Sequence, residues 1–232
     1  MTAVAEGTAA TTHAPTPADV ALERASQWAG EQAARLTERT RRRLAELAGQ
    51  SNGDHPSIGE PTVGPYVAFD VVVTSPIQFG GPPPYQPSKV IAAGEDAFII
   101  AFIFVNPTVN IPLGWAVPPT VQLGGRTWRL TLDQGNLTTG GILPQQVTTA
   151  AFPSPAPTVT PVVFKLDTPN PGPDPWLIEA NVTVDIVDPA QPYAAFATNF
   201  FDIDNDPGVL GAPPAPPGFR HELPNRYLIY SE

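Results

Sequence analysis

The sequence predicts a β-sandwich of Ig-like or jelly-roll type, antiparallel, with about eight or nine strands behind one long N-terminal helix. Three observations predict it. The hydrophobic period is helical over residues 17–48 and becomes two from Tyr66 onward. Proline accounts for 31 of 232 residues, and a residue that breaks helix interiors and cannot donate to a ladder must lie between short elements. No helical pattern separates the strand candidates, which argues against a parallel βαβ sheet.

Residues 1–16 are small and polar with one proline, and read as a disordered arm. Helix signals then coincide. Thr16 is a capping residue, Pro17 suits the first turn, and Asp19 stands three places after the cap, as in a capping box. Gly49 supplies the stop. Between them Ala18, Leu22, Ala25, Ala29, Ala33, Leu36, Thr40, Leu44 and Leu47 form one stripe. From Leu22 the spacing repeats every eleven residues, a period that keeps the stripe nearly straight. The stripe is thin and alanine-rich, so it needs a surface to lie on. Its own β-domain, other copies of the chain, and a membrane or large partner all qualify. Arg39, Arg41, Arg42 and Arg43 would suit an anionic surface. We take Leu22, Ala25, Ala29, Ala33, Leu36, Leu44 and Leu47 as candidate interaction residues.

Residues 49–65, rich in glycine, proline and polar side chains, read as a linker, and 66–232 as the sandwich domain. In 66–75, Val67, Phe69, Val71 and Val73 point one way. The stretch 95–106 is apolar on both faces, with Phe98, Ile100, Phe102 and Phe104 opposite Ile99, Ala101, Ile103 and Val105. A strand buried on both sides needs a cover, either the N-terminal helix or a second subunit. The stretch 119–135 reads as a hairpin turning at Gly124-Gly125, with Trp128, Leu130 and Leu132 facing in. Further strands are expected at 143–151, 159–167, 176–187, 193–201 and 226–231. In 176–187, Trp176, Ile178, Ala180, Val182, Val184 and Ile186 lie inside. Pro-rich pieces at 80–87, 152–161, 169–175 and 211–218 are expected as stiff loops between strands.

Composition narrows the chemistry. Without cysteine there is no disulfide, thiolate nucleophile or Cys-bound zinc. The histidines are His13, His55 and His221, and the first two lie in the arm and linker, so a His-based triad or two-His metal site is not expected. No nucleotide-binding or hydrolase motif is present. From Gly49 onward 6 basic residues face 16 acidic ones, a balance that repels nucleic acid. The N-terminus shows neither a basic region nor an apolar run, so no cleavable signal is expected. No stretch is long enough for a membrane helix. Arginine outnumbers lysine and alanine is abundant, a usage associated with GC-rich bacterial genomes.

Asp202, Asp204 and Asp206 alternate in FFDIDNDPG, and such carboxylates can converge on Ca²⁺. The stretch is not an EF-hand. Pro207 stands where the turn glycine belongs, and Pro213 where the bidentate glutamate belongs. A sandwich-loop site would need a further ligand such as Asp133, Asp167 or Asp174; otherwise the loop is a solvated acidic tip. Among the aromatics, Trp115 lies in a loop and is the candidate for an exposed contact. The expected role is a non-enzymatic structural or interaction module that joins a protein assembly, with itself or another partner, through the helix. The alternative is a calcium-assisted carbohydrate or surface binder.

Overall fold

The computed structural model describes residues 15–50, 68–109, 116–188, 193–200 and 225–231; in the helix, side chains are described up to 42 and at 45. Helix α1 (Pro17–Gln50) comes first, followed by β1 (Phe69–Thr74), β2 (Ile77–Gln78), β3 (Val90–Ala92) and β4 (Ala97–Val105). One turn of helix, α2 (Pro119–Gln122), precedes β5 (Thr127–Asn136), β6 (Gly141–Ile142), β7 (Gln146–Ala151), β8 (Val159–Lys165) and β9 (Trp176–Ile186). The chain ends through β10 (Ala194–Phe196), β11 (Thr198–Phe200) and β12 (Asn225–Tyr230). No helix among the described residues is long and apolar enough to cross a membrane.

Two sheets face each other. The five-stranded sheet runs β11-β1-β4, with β2 and β8 also on β4; the seven-stranded sheet runs β3-β12-β9-β5-β6, with β10 on β9 and β7 on β5. Pairing is mostly antiparallel, as expected of the sandwich, with β1–β11 and β12–β3 as parallel exceptions. Both parallel pairs involve short pieces reached by long connections rather than by a tight turn. The strands exceed the expected number because β2, β3 and β6 are two or three residues long and leave no periodic trace.

The layering follows from β4. Every residue of AFIIAFIFV is buried. Ile99, Ala101, Ile103 and Val105 join the core between the sheets, together with Leu130, Leu132, Ile178 and Val182. Phe98, Ile100, Phe102 and Phe104 point the other way, into a second core with Val72, Ile77 and Phe79. Helix α1 closes that second core, which makes the molecule three layers deep. Sequence alone set the helix or a second subunit as the cover; the helix of the same chain fills the role.

The α1 N-terminus forms the expected capping box. Thr16 N–H and Oγ1–H donate to Asp19 Oδ2 at 2.9 and 2.7 Å, and Asp19 N–H donates to Thr16 Oγ1 at 3.2 Å. The side-chain bond from Thr16, then its backbone bond, hold the Asp19 carboxyl below its ordinary 3.8. A carboxylate with a depressed folded value stabilises the fold above its unfolded value, and that contribution disappears as pH falls through the folded value. Asp19→Asn is therefore expected to lower the melting midpoint at neutral pH, and the gap to wild type should close in acid. A gap that stays constant down to strong acid would show that the carboxylate charge does not hold this turn.

Two strand expectations are corrected. Residues 119–135 are not a hairpin. Pro119 occupies the first helical turn, where its fixed φ is pre-set and its missing N–H costs nothing. Leu123 N–H then donates to Pro119 O at 2.8 Å, so the segment coils before it extends. Gly124-Gly125 turns the chain out of this coil: Gly125 has φ +75°, and a Cβ on Gly124 would lie 2.9 Å from Ser154 Oγ. The true partner of β5 is β7, paired from Thr127↔Ala151 to Leu132↔Gln146. Residues 193–201 are likewise not one strand. β10 pairs with β9 in one sheet and β11 with β1 in the other, with the chain crossing between sheets at Ala197. The small side chain of Ala197 packs against the inter-sheet core. Alternation along β5 and β9 is as expected, except that Trp176 is half-buried.

Candidate interaction surface

The helical stripe is occupied within the chain. Ala21, Ala25, Ala29, Ala33 and Leu36 are buried against the outer face of the five-stranded sheet, and Trp28 meets Phe79 edge-on with ring centroids 6.1 Å apart. Arg24 Nη1 donates to Phe79 O at 3.1 Å and Gly81 O at 3.3 Å, fixing the helix to the segment after β2. Leu22 does not belong to the stripe. It is 43% exposed, whereas Ala21 is 3% exposed. A straight helix on a flat sheet turns position 21 inward, in line with Ala25, and position 22 off the seam. The alanines let the helix approach the sheet closely, nearest over β8. Leu44 and Leu47 lie outside the described side chains. Trp115, Asp202, Asp204, Asp206 and the three histidines lie outside the described residues.

Among the described residues, no group of three or more His, Asp or Glu side chains could hold a metal ion. Asp133, one candidate ligand, accepts from Gln145 Nε2 at 2.7 Å. Other charged groups are taken up by ion pairs. Arg129 forks onto Asp185 with bonds of 2.9 and 3.1 Å, and Arg226 donates to Glu179 at 2.7 and 2.8 Å. Both pairs are direct register partners across neighbouring strands. Arg126 bonds Asp188, and Lys165 meets Asp96. Exposed pairs of this kind contribute at most about 1 kcal/mol each, so they arrange surface charge more than they hold the fold. Among the described residues the one strongly shifted group is Tyr227. Burial, then the negative charge of Asp167, push its phenol well above the usual range. Its O–H donates to Gln134 Oε1 at 3.0 Å inside the sandwich, a structural role with no access to solvent.

Among the described residues one sheet face has no cover. The five-stranded sheet has α1 on its outer face, whereas the outer face of the seven-stranded sheet carries the Arg129–Asp185 and Arg226–Glu179 pairs and has no further layer among the described residues. Register places Phe196, Thr183, Thr131 and Val147 in one row across this face. The two ends of the row are apolar and wet: Phe196 is 70% exposed and Val147 51%. Ile142, opposite Gly135 on the same side, is 90% exposed. Beside it lies a shallow cleft of about 570 Å³ lined by Asp133, Gly135, Ile142, Gln145 and Asn181. A second cleft of about 500 Å³ lies where α1 begins, between Arg24, Phe79 and the Glu95-Asp96 pair.

Sequence reasoning missed this face. The sequence places Phe196 in a strand without giving it a facing, because the switch of sheets at Ala197 erases its phase. Ile142 follows two glycines and stands two places before Pro144, so no period attaches to it.

No family model matches the chain, and no curated protein matches it. Among solved structures it is similar to the CARDB domain of a Pyrococcus furiosus protein, a crystal structure in complex with di-metal ions. Identity is 14% and the TM-score 0.26, over 63% of this chain and 99% of that domain. The metal ions are that domain's own.

Proposed function

We propose that this protein is a non-enzymatic structural module that enters an assembly through the open face and margin of its seven-stranded sheet. The supporting observation is the asymmetry between the two sheets. One outer face is sealed by α1, and the other keeps Phe196, Val147 and Ile142 in water. Single exposed apolar residues are ordinary, but these three share one face of a sheet and border polar, ion-paired ground. Recognition surfaces combine apolar contacts with polar ground, and this face carries both side by side. The helix stripe, first expected to carry docking, lies against the chain's own sheet from Ala21 to Leu36, so we give the role to the opposite layer.

Sedimentation velocity of the full chain over a wide concentration range tests the reading. Species heavier than the 24.6 kDa monomer are expected. They should be depleted in a Phe196→Ser, Ile142→Ser double variant that melts like wild type. A monomer at every concentration would remove the reading.

A further inference from the structure

We propose that β7 is a pairing edge for a second copy of this chain, with the two β7 strands antiparallel about a two-fold axis through Thr149. The proposal rests on the assembly reading above and adds the element, the occupant and the register.

The direction of the β7 backbone follows from its neighbours. Phe152 N–H donates to Arg126 O, and Phe152 O accepts from Gly125 N–H, so Phe152 turns both groups toward β5. Antiparallel pairing alternates such residues. Ala150, Thr148 and Gln146 therefore face β5, and Val147, Thr149 and Ala151 aim their N–H and C=O groups away from the sheet. The β5 side agrees: Thr127 O accepts from Val187 N–H on β9, so its odd-numbered residues serve β9 and its even-numbered ones serve β7. Val147, Thr149 and Ala151 are all exposed.

Natural sheets guard such an edge with charge, proline, a bulge or brevity. The neighbouring edge strand β8 has Pro161 within it and Lys165 at its end. β3, β10 and β11 are three residues each. β7 is QVTTAA, six residues with no charge and no proline. It is the longest unguarded edge among the described residues, and it is rich in strand-favouring side chains.

The occupant follows from symmetry and charge. A strand edge is its own complement when the partner runs antiparallel about a two-fold normal to the sheet. With Thr149 opposite Thr149 of the second copy, Val147 faces the second copy's Ala151 on both sides of the axis. Every outward-pointing residue then opposes another outward-pointing residue, so each facing pair exchanges two backbone bonds. Shifting the register by two residues leaves an outward pair unmatched. On the exposed face the arrangement sets Thr against Thr and Val against Ala, both favourable cross-strand neighbours. The chain carries a net charge of −10, so two copies repel over most approaches. An uncharged edge is where they meet with least repulsion, and added salt should strengthen the contact.

Light scattering of the full chain is expected to show a dimer that grows with concentration and with salt. Thr149→Pro should return it to monomer with its melting midpoint kept, because the lost N–H points out of the sheet and bonds nothing inside. The chain has no cysteine, so Thr149→Cys introduces the sole thiol at the axis. Hydrogen-bonded antiparallel partners sit about 5.5 Å apart at Cα, within disulfide reach. Mild oxidation should give covalent dimer for Thr149→Cys and none for Ser26→Cys on the exposed side of α1. If Thr149→Pro unfolds, the cysteine pair decides the matter. A wild-type assembly indifferent to both Thr149 variants overturns the edge and leaves the open-face reading standing. A wild type monomeric at all concentrations, its edge reserved for a strand of another protein or for nothing, overturns both.

Discussion

A chain beginning at Ser51 is expected to lose the folded sandwich altogether. Removing residues 1–50 uncovers Phe98, Ile100, Phe102 and Phe104 on β4, each at most 3% exposed beneath α1. Exposing one such side chain costs about 1.5–3 kcal/mol. Four of them alone are comparable with the whole stability of a typical domain, about 5–15 kcal/mol. Val72, Ile77 and Phe79 lie in the same core and would add to the loss. The expected sample is aggregated or molten, with strong binding of an apolar dye and no cooperative melt. A peptide spanning residues 15–50, added in trans, should restore the transition. A soluble fragment that melts as sharply as the full chain would mean that α1 only decorates the sheet. The prediction separates the observed use of the helix from the docking role first expected of it, since a docking arm can be removed without harm to its domain.

The helix and its need for a surface were legible because both rest on local periodicity. The capping box marks where the helix begins, while the alanine stripe and the doubly apolar β4 each call for a cover, which the sequence left open between this chain and a partner. Strands β5 and β9 were legible for the same reason: their one-sided burial writes a period of two into the sequence. What stayed hidden depends on partners distant in the chain. Nothing in Val90–Ala92 announces parallel pairing with a strand at Leu228–Tyr230. The Gly124-Gly125 turn has a hairpin's composition, but the prolines before it preset a helical turn, and the choice lies with the dihedral of Pro119. The displacement of Leu22 by Ala21 depends on how the helix is rolled on the sheet, which the neighbouring strands decide. The interaction surface was hidden for a related reason. An open edge is defined by what does not pair with it, and β7 reads like any other strand until the sheet order is known.

Burial on two faces against burial on one makes the last prediction. In β4, successive residues lie in different cores, Phe102 toward α1 and Ile103 toward the second sheet. Both are essentially inaccessible, at 1% and 0% exposed. Phe102→Ala is expected to cost about 3–5 kcal/mol and Ile103→Ala about 2–5, because each leaves a void that rigid neighbours on its own side cannot fill. In β5 the same comparison should split. Leu130 is 0% exposed, and Leu130→Ala belongs in the same range of about 2–5 kcal/mol. Its neighbour Arg129 stands on the open face in an exposed pair with Asp185, and Arg129→Ala should cost no more than about 1 kcal/mol. Denaturant melts of the four variants measure this directly, with unchanged slopes confirming a common unfolded state. The decisive comparison is Phe102 with Arg129, since each lies on the outer face of its own sheet. If Phe102→Ala cost as little as Arg129→Ala, the outer face of β4 would be as open as that of β5. The molecule would then have two layers and α1 would stand free of it. A large cost at Phe102 beside a small one at Arg129 ties the sealing of one face to the availability of the other.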